Sequence, residues 1–300
     1  MTWNKGDIVI TDKSSAPPIK QDPKRDWIDP MDSEDLGGEN RVDKAGHEAG
    51  DINDLLLEIA RCSNFKSKKG NHCKTIVQTQ PQEDYQLPEP WSGDLQNAPI
   101  LFLSSNPSIS SKEKYPRHKW PDDEIIDFFS HRFGGGLEGW TKDGRYTLLK
   151  AGSVYSNKGV RYWASARKRA IELLCKNDVQ PGVDYTFSEV VHCKSLHEKG
   201  VSKALPECAG RYLKKIVACS GARIIVCFGR FTPVVVRQVF GIPDDVNVSA
   251  PVQVGSRLRI FTFMPHPNAW MVHSFTKCLS ASELERLRSW LRESKLELSE

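Results

Sequence analysis

Two short segments place a polar side chain against proline at the end of an apolar run. Residues 104–108 read SSNPS, and residues 264–268 read MPHPN. The amide oxygen of Asn106 can hold a water molecule, and the imidazole of His266 can donate a hydrogen bond to a leaving group. Proline restricts the backbone on either side of each group. Asn106 and His266 are therefore candidates for one polar site.

The elements that must position these residues alternate along the chain. Apolar strand patterns at 100–103, 185–191, 223–228 and 258–264 are separated by helical patterns at 161–176, 204–219 and 231–240, with further helices at 49–62 and 282–296. This alternation predicts an α/β fold, a three-layer α/β/α sandwich with a central, mostly parallel four-stranded sheet. In such sheets ligands bind beyond the carboxyl ends of the strands. The predicted site therefore lies where Asn106, Glu189, Gly229 and His266 meet.

The formal net charge of +4 conceals two parts of opposite sign. Residues 1–50 contain 7 basic and 11 acidic side chains, and the remainder contains 35 basic and 27 acidic ones. Residues 1–45 are also rich in proline, glycine, aspartate and serine, which predicts a flexible acidic N-terminal extension. Residues 46–300 form the predicted folded body, and its net basic charge favours a polyanionic partner such as nucleic acid.

Several classes of protein are disfavoured by the sequence. No apolar run approaches the ~20 residues that a membrane-spanning helix needs, and the N-terminus lacks the apolar core of a signal peptide. We therefore expect a cytoplasmic protein whose eight cysteines are reduced thiols or metal ligands. The first strand end has no glycine between residues 104 and 108, which argues against a nucleotide-processing enzyme with a glycine-rich phosphate loop.

The order of these features resembles the uracil-DNA glycosylase superfamily. An apolar strand ends in Asn106-Pro107, the segment 190–193 (VVHC) leads into a helix with Cys208, residues 222–229 form another strand, and the last strand ends in His266-Pro267. The Asn-Pro form is similar to the mismatch-specific and single-strand-selective branches. Residues 190–230 are more similar to the iron–sulfur branches. The resemblance covers roughly residues 50–295, so residues 46–300 are expected to be the catalytic domain.

The resemblance implies a monofunctional DNA glycosylase that acts as a monomer and flips its target base out of the duplex. Asn106 would position water at the sugar C1′, and His266 would stabilise the departing base. The neighbours of Asn106 (Ser105, Pro107 and Ser108) would contact the base. Phe133 would stack on it, with Trp140 as a rival and loop packing as the alternative for both. The loop after His266 would enter the minor groove through Asn268, Trp270 and Met271.

One departure from the family bears on the base. The iron–sulfur branches have Asn-Val-Val-Lys-Cys where this chain has Glu189-Val190-Val191-His192-Cys193. An ionised carboxylate cannot donate to uracil O4, but it can accept from the amine of cytosine. Glu189 therefore favours a modified cytosine, such as the glucosylated hydroxymethylcytosine of phage DNA that bacterial phage-defence glycosylases of this family remove. The long segment 109–155 could admit such an adduct. The alternatives are uracil excision in base-excision repair, and a non-catalytic nucleic-acid-binding module.

Four cysteines form a further candidate site. Cys193 and Cys208 have nearly the spacing of the second cysteine pair of the iron–sulfur branches, whereas Cys62 and Cys73 lie farther apart than the first pair does. Four thiolates would suit a [4Fe–4S] cluster. Zinc is the competing metal, with His72 or His192 as an alternative ligand. The remaining interpretation is reduced thiols without a metal, with Cys175, Cys219, Cys227 and Cys278 in the core.

Overall fold

A computed structural model of the chain describes residues 51–65, 72–80, 85–266 and 274–297. The predicted acidic extension, residues 1–45, lies outside the described residues. The helices of the described part are α1 (Ile52–Ala60), α2 (Lys74–Val77), α3 (Asp122–Ser130), α4 (Arg161–Leu174), α5 (Val201–Cys219), α6 (Phe231–Phe240), α7 (Phe275–Cys278) and α8 (Ala281–Glu297). The strands are β1 (Trp91–Ser92), β2 (Ile100–Ser104), β3 (Thr141–Lys142), β4 (Tyr146–Thr147), β5 (Thr186–Glu189), β6 (Ile224–Phe228), β7 (Val252–Val254) and β8 (Arg257–Met264).

The main sheet has six strands in the order β1-β5-β2-β6-β8-β7. The four predicted strands are its centre and run parallel to one another. The prediction of a four-stranded sheet is wrong, because β1 and β7 add an antiparallel strand at each edge. These edge strands are two and three residues long, too short for a periodic hydrophobic pattern. The α/β class with a mostly parallel sheet is confirmed.

Apolar residues on both faces of the sheet explain why β2, β5 and β6 are fully buried. Leu101 and Leu103 of β2 pack in one hydrophobic cluster with α1, α3, α5 and α6. Ile100 and Phe102 pack in a second cluster with α4, α7 and α8. Successive side chains of a strand point to opposite faces, so continuous apolar runs indicate a sheet that is covered on both sides.

The helix boundaries largely follow local signals. Helix α6 spans the predicted range, whereas the first helix is shorter than the predicted 49–62. It begins after Asp51, whose side chain accepts a hydrogen bond from the backbone N–H of Asn53 at 3.0 Å. An aspartate at this position satisfies a free N–H of the first turn, and it fixes where the helix starts.

The segment 109–155 lies over the carboxyl ends of the strands. It contains α3 and, beyond the predicted loops and helix, the two-stranded sheet of β3 and β4. An isolated bridge joins Glu113 to Leu149 within it, and Ser108, just before it, forms a bridge with Ser195. Among the described helices, none combines the length and the hydropathy required to cross a membrane.

Candidate active site

The carboxyl ends of the parallel strands open into a cleft of about 1040 Å³. Asn106 follows β2, Glu189 ends β5 and His266 follows β8, and all three side chains line this cleft. Pro107 and Ser108 line it as well. The structure therefore brings together three predicted site residues that are separated by up to 160 positions in sequence.

Asn106 has a fixed side-chain orientation. Its Nδ2 donates to the carbonyl oxygen of Pro107 at 2.9 Å and to Oγ of Ser195 at 3.0 Å. Both amide protons are thereby used inside the protein. No described residue donates to Oδ1, so this oxygen can accept a hydrogen bond from a water molecule in the cleft.

His266 is held against an aromatic ring. The imidazole stacks on Tyr162 with ring centroids 6.0 Å apart and an interplanar angle of 24°. Gly229, at the end of β6, has φ +87°, and a Cβ there would lie 3.7 Å from Cδ2 of His266. His266 therefore sits between the first turn of α4 and the β6 exit, and it faces both the cleft and an adjoining cavity of about 530 Å³.

Glu189 is buried and accepts a hydrogen bond from Oγ of Ser104, at the end of the neighbouring strand. Burial raises the pKa of Glu189 to about 8, and the negative charge of Glu89 adds to this effect. The hydrogen bond from Ser104 and the ammonium group of Lys194 oppose it. At neutral pH the Glu189 side chain is therefore mostly a neutral carboxyl group that can both donate and accept.

A network of paired charges explains why Glu89, another carboxyl group of the cleft, stays ionised. Arg132 forms ion pairs with Glu89 at 3.0 Å and with Glu113 at 2.5 Å, and Lys194 lies 3.5 Å from Glu89. Burial alone would raise the pKa of Glu89, but the charges of Arg132 and Lys194 outweigh it and lower this pKa to about 2. Two cations thus balance Glu89 and Glu113, whereas no ion pair joins Glu189 to a cation of the described residues.

The sequence patterns did not reveal most of this network. Glu89 lies between two prolines of the connector that precedes β1, and Lys194 directly follows Cys193. Tyr162 is the second residue of α4, a helix that the sequence predicts from its apolar period without indicating a role for this side chain. An isolated charge or aromatic residue carries no periodicity, so tertiary structure alone shows that these residues line the cleft.

Other predicted site residues lie elsewhere. Phe133 packs against Trp163 and Phe187, and it lines a separate cavity rather than the cleft. Trp140 is buried against Trp120 and Phe128, and Ser105 lines the cavity that adjoins His266. The predicted minor-groove residues Asn268, Trp270 and Met271 lie outside the described residues.

The four predicted cysteine ligands line one small cavity, which is separate from the cleft. Cys62 and Cys73 reach it from the N-terminal helices, Cys193 from the segment after β5, and Cys208 from α5. Burial raises the pKa of the Cys193 thiol to about 12 and also raises the pKa values of Cys73 and Cys208. As they stand, no three or more of the His, Cys, Asp and Glu side chains of the described part are arranged to hold a metal ion.

Each of these four sulfur atoms receives a hydrogen-bond donor. Tyr212 donates to Sγ of Cys62 at 3.5 Å, Asn64 to Cys73 at 3.9 Å, and Tyr85 to Cys193 at 3.8 Å. The backbone N–H of His192 donates to Sγ of Cys208 at 3.5 Å, and Arg211 lies 3.8 Å from Sγ of Cys62. Donors of this kind stabilise thiolates and tune the potentials of iron–sulfur clusters.

The competing zinc ligands are placed differently. His192 lines the cysteine cavity, and its Nδ1 lies 2.8 Å from the carbonyl oxygen of Glu89, to which it donates. Burial lowers the pKa of His192 to about 4, so the ring is neutral and its Nε2 has a lone pair. His72 does not line the cavity.

No protein-family model and no curated protein matches the chain. The class of protein is therefore inferred from the cleft and from the sequence motifs that line it.

Proposed function

We propose that the protein is a monofunctional DNA glycosylase that hydrolyses the N-glycosidic bond of a flipped, modified pyrimidine. The observation that carries this proposal is the convergence of Asn106, Glu189 and His266 in one cleft at the carboxyl ends of three parallel strands. An acceptor for water, a group that reads the edge of a base and a donor for the leaving group are the parts that base hydrolysis requires.

Each residue has a distinct role in the proposed reaction. Oδ1 of Asn106 accepts a hydrogen bond from the water that attacks C1′, while the bond from C1′ to the base nitrogen breaks. The bonding electrons leave with the base, and a hydrogen bond from His266 to the base oxygen stabilises the anion. The water loses one proton to solvent as its oxygen bonds to C1′, and the released base anion takes up one proton from solvent. The stack on Tyr162 keeps the imidazole in place. The Asn-Pro turn has no carboxylate that could take a proton from the attacking water. The rate therefore depends strongly on how well the base leaves.

The dimensions and lining of the cleft favour a base that carries a polar adduct. Ligand sites usually have volumes of about 300–1,000 Å³, and this cleft of about 1040 Å³ is at the upper end. Side chains with hydroxyl and amide groups form part of the cleft wall: Ser110, Ser111, Thr147, Ser156 and Asn157. Such a wall suits a sugar. We therefore favour a modified cytosine such as glucosylated hydroxymethylcytosine as the substrate.

Uracil remains a second candidate because Glu189 is mostly neutral at pH 7. Only an ionised Glu189 carboxylate would be unable to donate a hydrogen bond to uracil O4. A protonated carboxyl group can donate to uracil O4 as well as to cytosine N3, and it can accept from either base. Glu189 therefore reads the edge of a pyrimidine, and the adduct-binding wall is what favours the larger base.

A panel of duplexes tests the substrate. Duplexes that contain one uracil, one hydroxymethylcytosine or one glucosylated hydroxymethylcytosine are incubated with the protein and then treated with alkali, which breaks DNA at abasic sites. We expect strand breaks with the glucosylated base. Breaks with uracil alone would contradict the proposed substrate, and a non-catalytic binding module would give none with any duplex.

We also propose that Cys62, Cys73, Cys193 and Cys208 hold a [4Fe–4S] cluster. The shared cavity and the hydrogen-bond donor at each sulfur support this proposal. Loading would require the buried thiols to lose their protons. Held by Cys62, Cys73, Cys193 and Cys208, a cluster would link the N-terminal helices to α5, and the hydrolysis proposed above would not use it.

Anaerobic purification tests the cluster. We expect a brown protein with broad visible absorption and about four iron and four sulfide per chain. Cys193→Ser should remove the colour and the iron, whereas Cys175→Ser, at an exposed thiol outside the cavity, should keep both. A colourless, metal-free and active wild-type preparation would contradict the proposal, and stoichiometric zinc would support the competing metal.

The three-layer arrangement and the DNA partner are also parts of this proposal. Two hydrophobic clusters, one on each face of the sheet, support a helix layer on either side. Exposed Lys112 and Lys158 on the wall of the cleft offer contacts for phosphate groups.

A further inference from the structure

Ser195 is a buried serine of the cleft whose hydroxyl contacts the amide of Asn106. It follows Cys193 and Lys194 at the exit from β5 and is 2 % exposed. Its Oγ accepts a hydrogen bond from Nδ2 of Asn106 at 3.0 Å. Ser195 also lines the cleft beside Asn106.

This contact determines how the Asn106 amide is oriented. One proton of Nδ2 is bound by the carbonyl oxygen of Pro107 and the other by Ser195. Rotation of the amide by 180° would place Oδ1 against the Pro107 carbonyl, where two acceptors would face each other. With both protons bound, Oδ1 points away from Pro107 and Ser195 and stays available to a water molecule.

The backbone around Ser195 is joined to the same turn. The N–H of Ser195 donates to the carbonyl oxygen of Pro107 at 3.2 Å, and Nζ of Lys194 donates to the carbonyl oxygen of Ser108 at 3.1 Å. Residues 108 and 195 also form a parallel bridge. These bonds do not involve the hydroxyl of Ser195, so they persist when that hydroxyl alone is removed.

We propose that Ser195 is a positioning residue that fixes the Asn106 amide so that Oδ1 can hold the attacking water. The proposal rests on the proposed glycosylase function for its consequence in catalysis, whereas the contact itself can be measured without a substrate. A water-positioning group must be held closely, because a displacement of about 1 Å can reduce a rate by about 100-fold.

Single-turnover kinetics of Ser195→Ala test the consequence. We expect the rate of base release to fall about 10- to 100-fold with nearly unchanged DNA affinity, because the hydroxyl acts on the chemical step. Ser195→Thr keeps the hydroxyl and should recover most of the rate. The matched control is Ser220→Ala, which removes a buried hydroxyl that bonds the carbonyl oxygen of Val217 away from the cleft, and it should keep the wild-type rate.

A double-mutant cycle shows whether Ser195 acts through Asn106. In the Asn106→Ala background, Ser195→Ala should cause no further loss, since the group that it positions is gone. An undiminished rate for Ser195→Ala, or an equal loss in both backgrounds, would overturn the proposal.

A measurement without substrate separates this inference from the proposed function. The side-chain amide protons of Asn106, assigned in NMR spectra by their absence in Asn106→Asp, should exchange slowly with solvent in the wild type. One of them should exchange faster in Ser195→Ala. Unchanged exchange would overturn the inference, whereas a wild-type protein that releases no base from any duplex would contradict the proposed function alone.

Discussion

Replacing Asn106 or His266 by alanine should reduce base release by at least about 100-fold while DNA binding is largely retained. Asn106→Ala removes the amide oxygen that the Asn-Pro turn offers to water, and His266→Ala removes the donor to the leaving base. Misplacing a reacting group by about 1 Å costs about 10²-fold, and single donors to a developing anion contribute about 10²–10³-fold. Single-turnover release from a glucosylated hydroxymethylcytosine duplex measures both losses.

Matched controls exist for both substitutions. Asn97 is an exposed asparagine just before the amino end of β2, at the opposite end of the sheet, and His118 is an exposed histidine outside the cleft. Asn97→Ala and His118→Ala should keep the wild-type rate. Full base release by both Asn106→Ala and His266→Ala, with DNA affinity unchanged, would remove these residues from the mechanism.

Base release should fall as the pH rises through about 8, the pKa to which burial raises Glu189. Below this pH the carboxyl group is protonated, so it donates to N3 of a cytosine-type base and accepts from N4. Above it the donor is lost, and the negative charge repels N3. We therefore expect the rate constant for base release to be highest below pH 8 and to decline between about pH 8 and pH 10.

The Glu189→Gln variant tests whether ionisation of Glu189 causes the decline in base release above pH 8. An amide keeps one donor and one acceptor and does not ionise, so this variant should retain its activity above pH 8. Glu189→Ala should be impaired at every pH, since neither contact to the base remains. An alkaline decline of equal midpoint in Glu189→Gln and the wild type would show that another group titrates.

The raised pKa of Glu189 also affects folding stability. A carboxyl group whose pKa is raised in the folded state contributes stability that is fully present below its unfolded pKa and is lost as the pH rises through the folded pKa. We therefore expect the contribution of Glu189 to the free energy of unfolding to fall as the pH rises from about 5 to about 8. Ion pairs keep Glu89 ionised throughout this range, so it does not add to the effect.

The centre of the fold was predictable because its strands are long and apolar. The four parallel strands and the helices between them follow from hydrophobic periods that a sequence displays directly. The sequence does not predict the edge strands β1 and β7. They are two and three residues long, and they join the sheet through backbone hydrogen bonds that leave no pattern in the sequence. The bounds of α1 depended on the side chain of Asp51 rather than on the apolar period.

The candidate site was predictable only in part. Asn106, Glu189 and His266 lie at strand ends, where the topology of a parallel sheet brings distant residues together. Phe133 was expected at the base but lies in a separate cavity, because its ring packs behind Phe187 and Trp163. Short motifs give the order of elements along the chain, and they do not give the direction in which a loop side chain turns.

The electrostatics of the site could not be derived from residue types alone. Glu189 looks like an anion in the sequence, yet burial and the nearby charge of Glu89 raise its pKa and favour the neutral acid. Arg132 and Lys194 form their ion pairs with Glu89 and Glu113. Burial and charge partners decide the protonation state, and both depend on residues from three distant segments. The role of Ser195 is likewise visible only from the contact that it makes across 89 positions.

Mass spectrometry of the products tests the central claim most directly. Wild-type protein is incubated with a duplex that contains one glucosylated hydroxymethylcytosine, and the free base and the abasic sites are both quantified. We predict release of the intact modified base in equal amount to the abasic sites, and none from the same duplex with cytosine. A duplex that is bound but left intact, together with intact uracil and hydroxymethylcytosine duplexes, would contradict the assignment of base hydrolysis to this cleft.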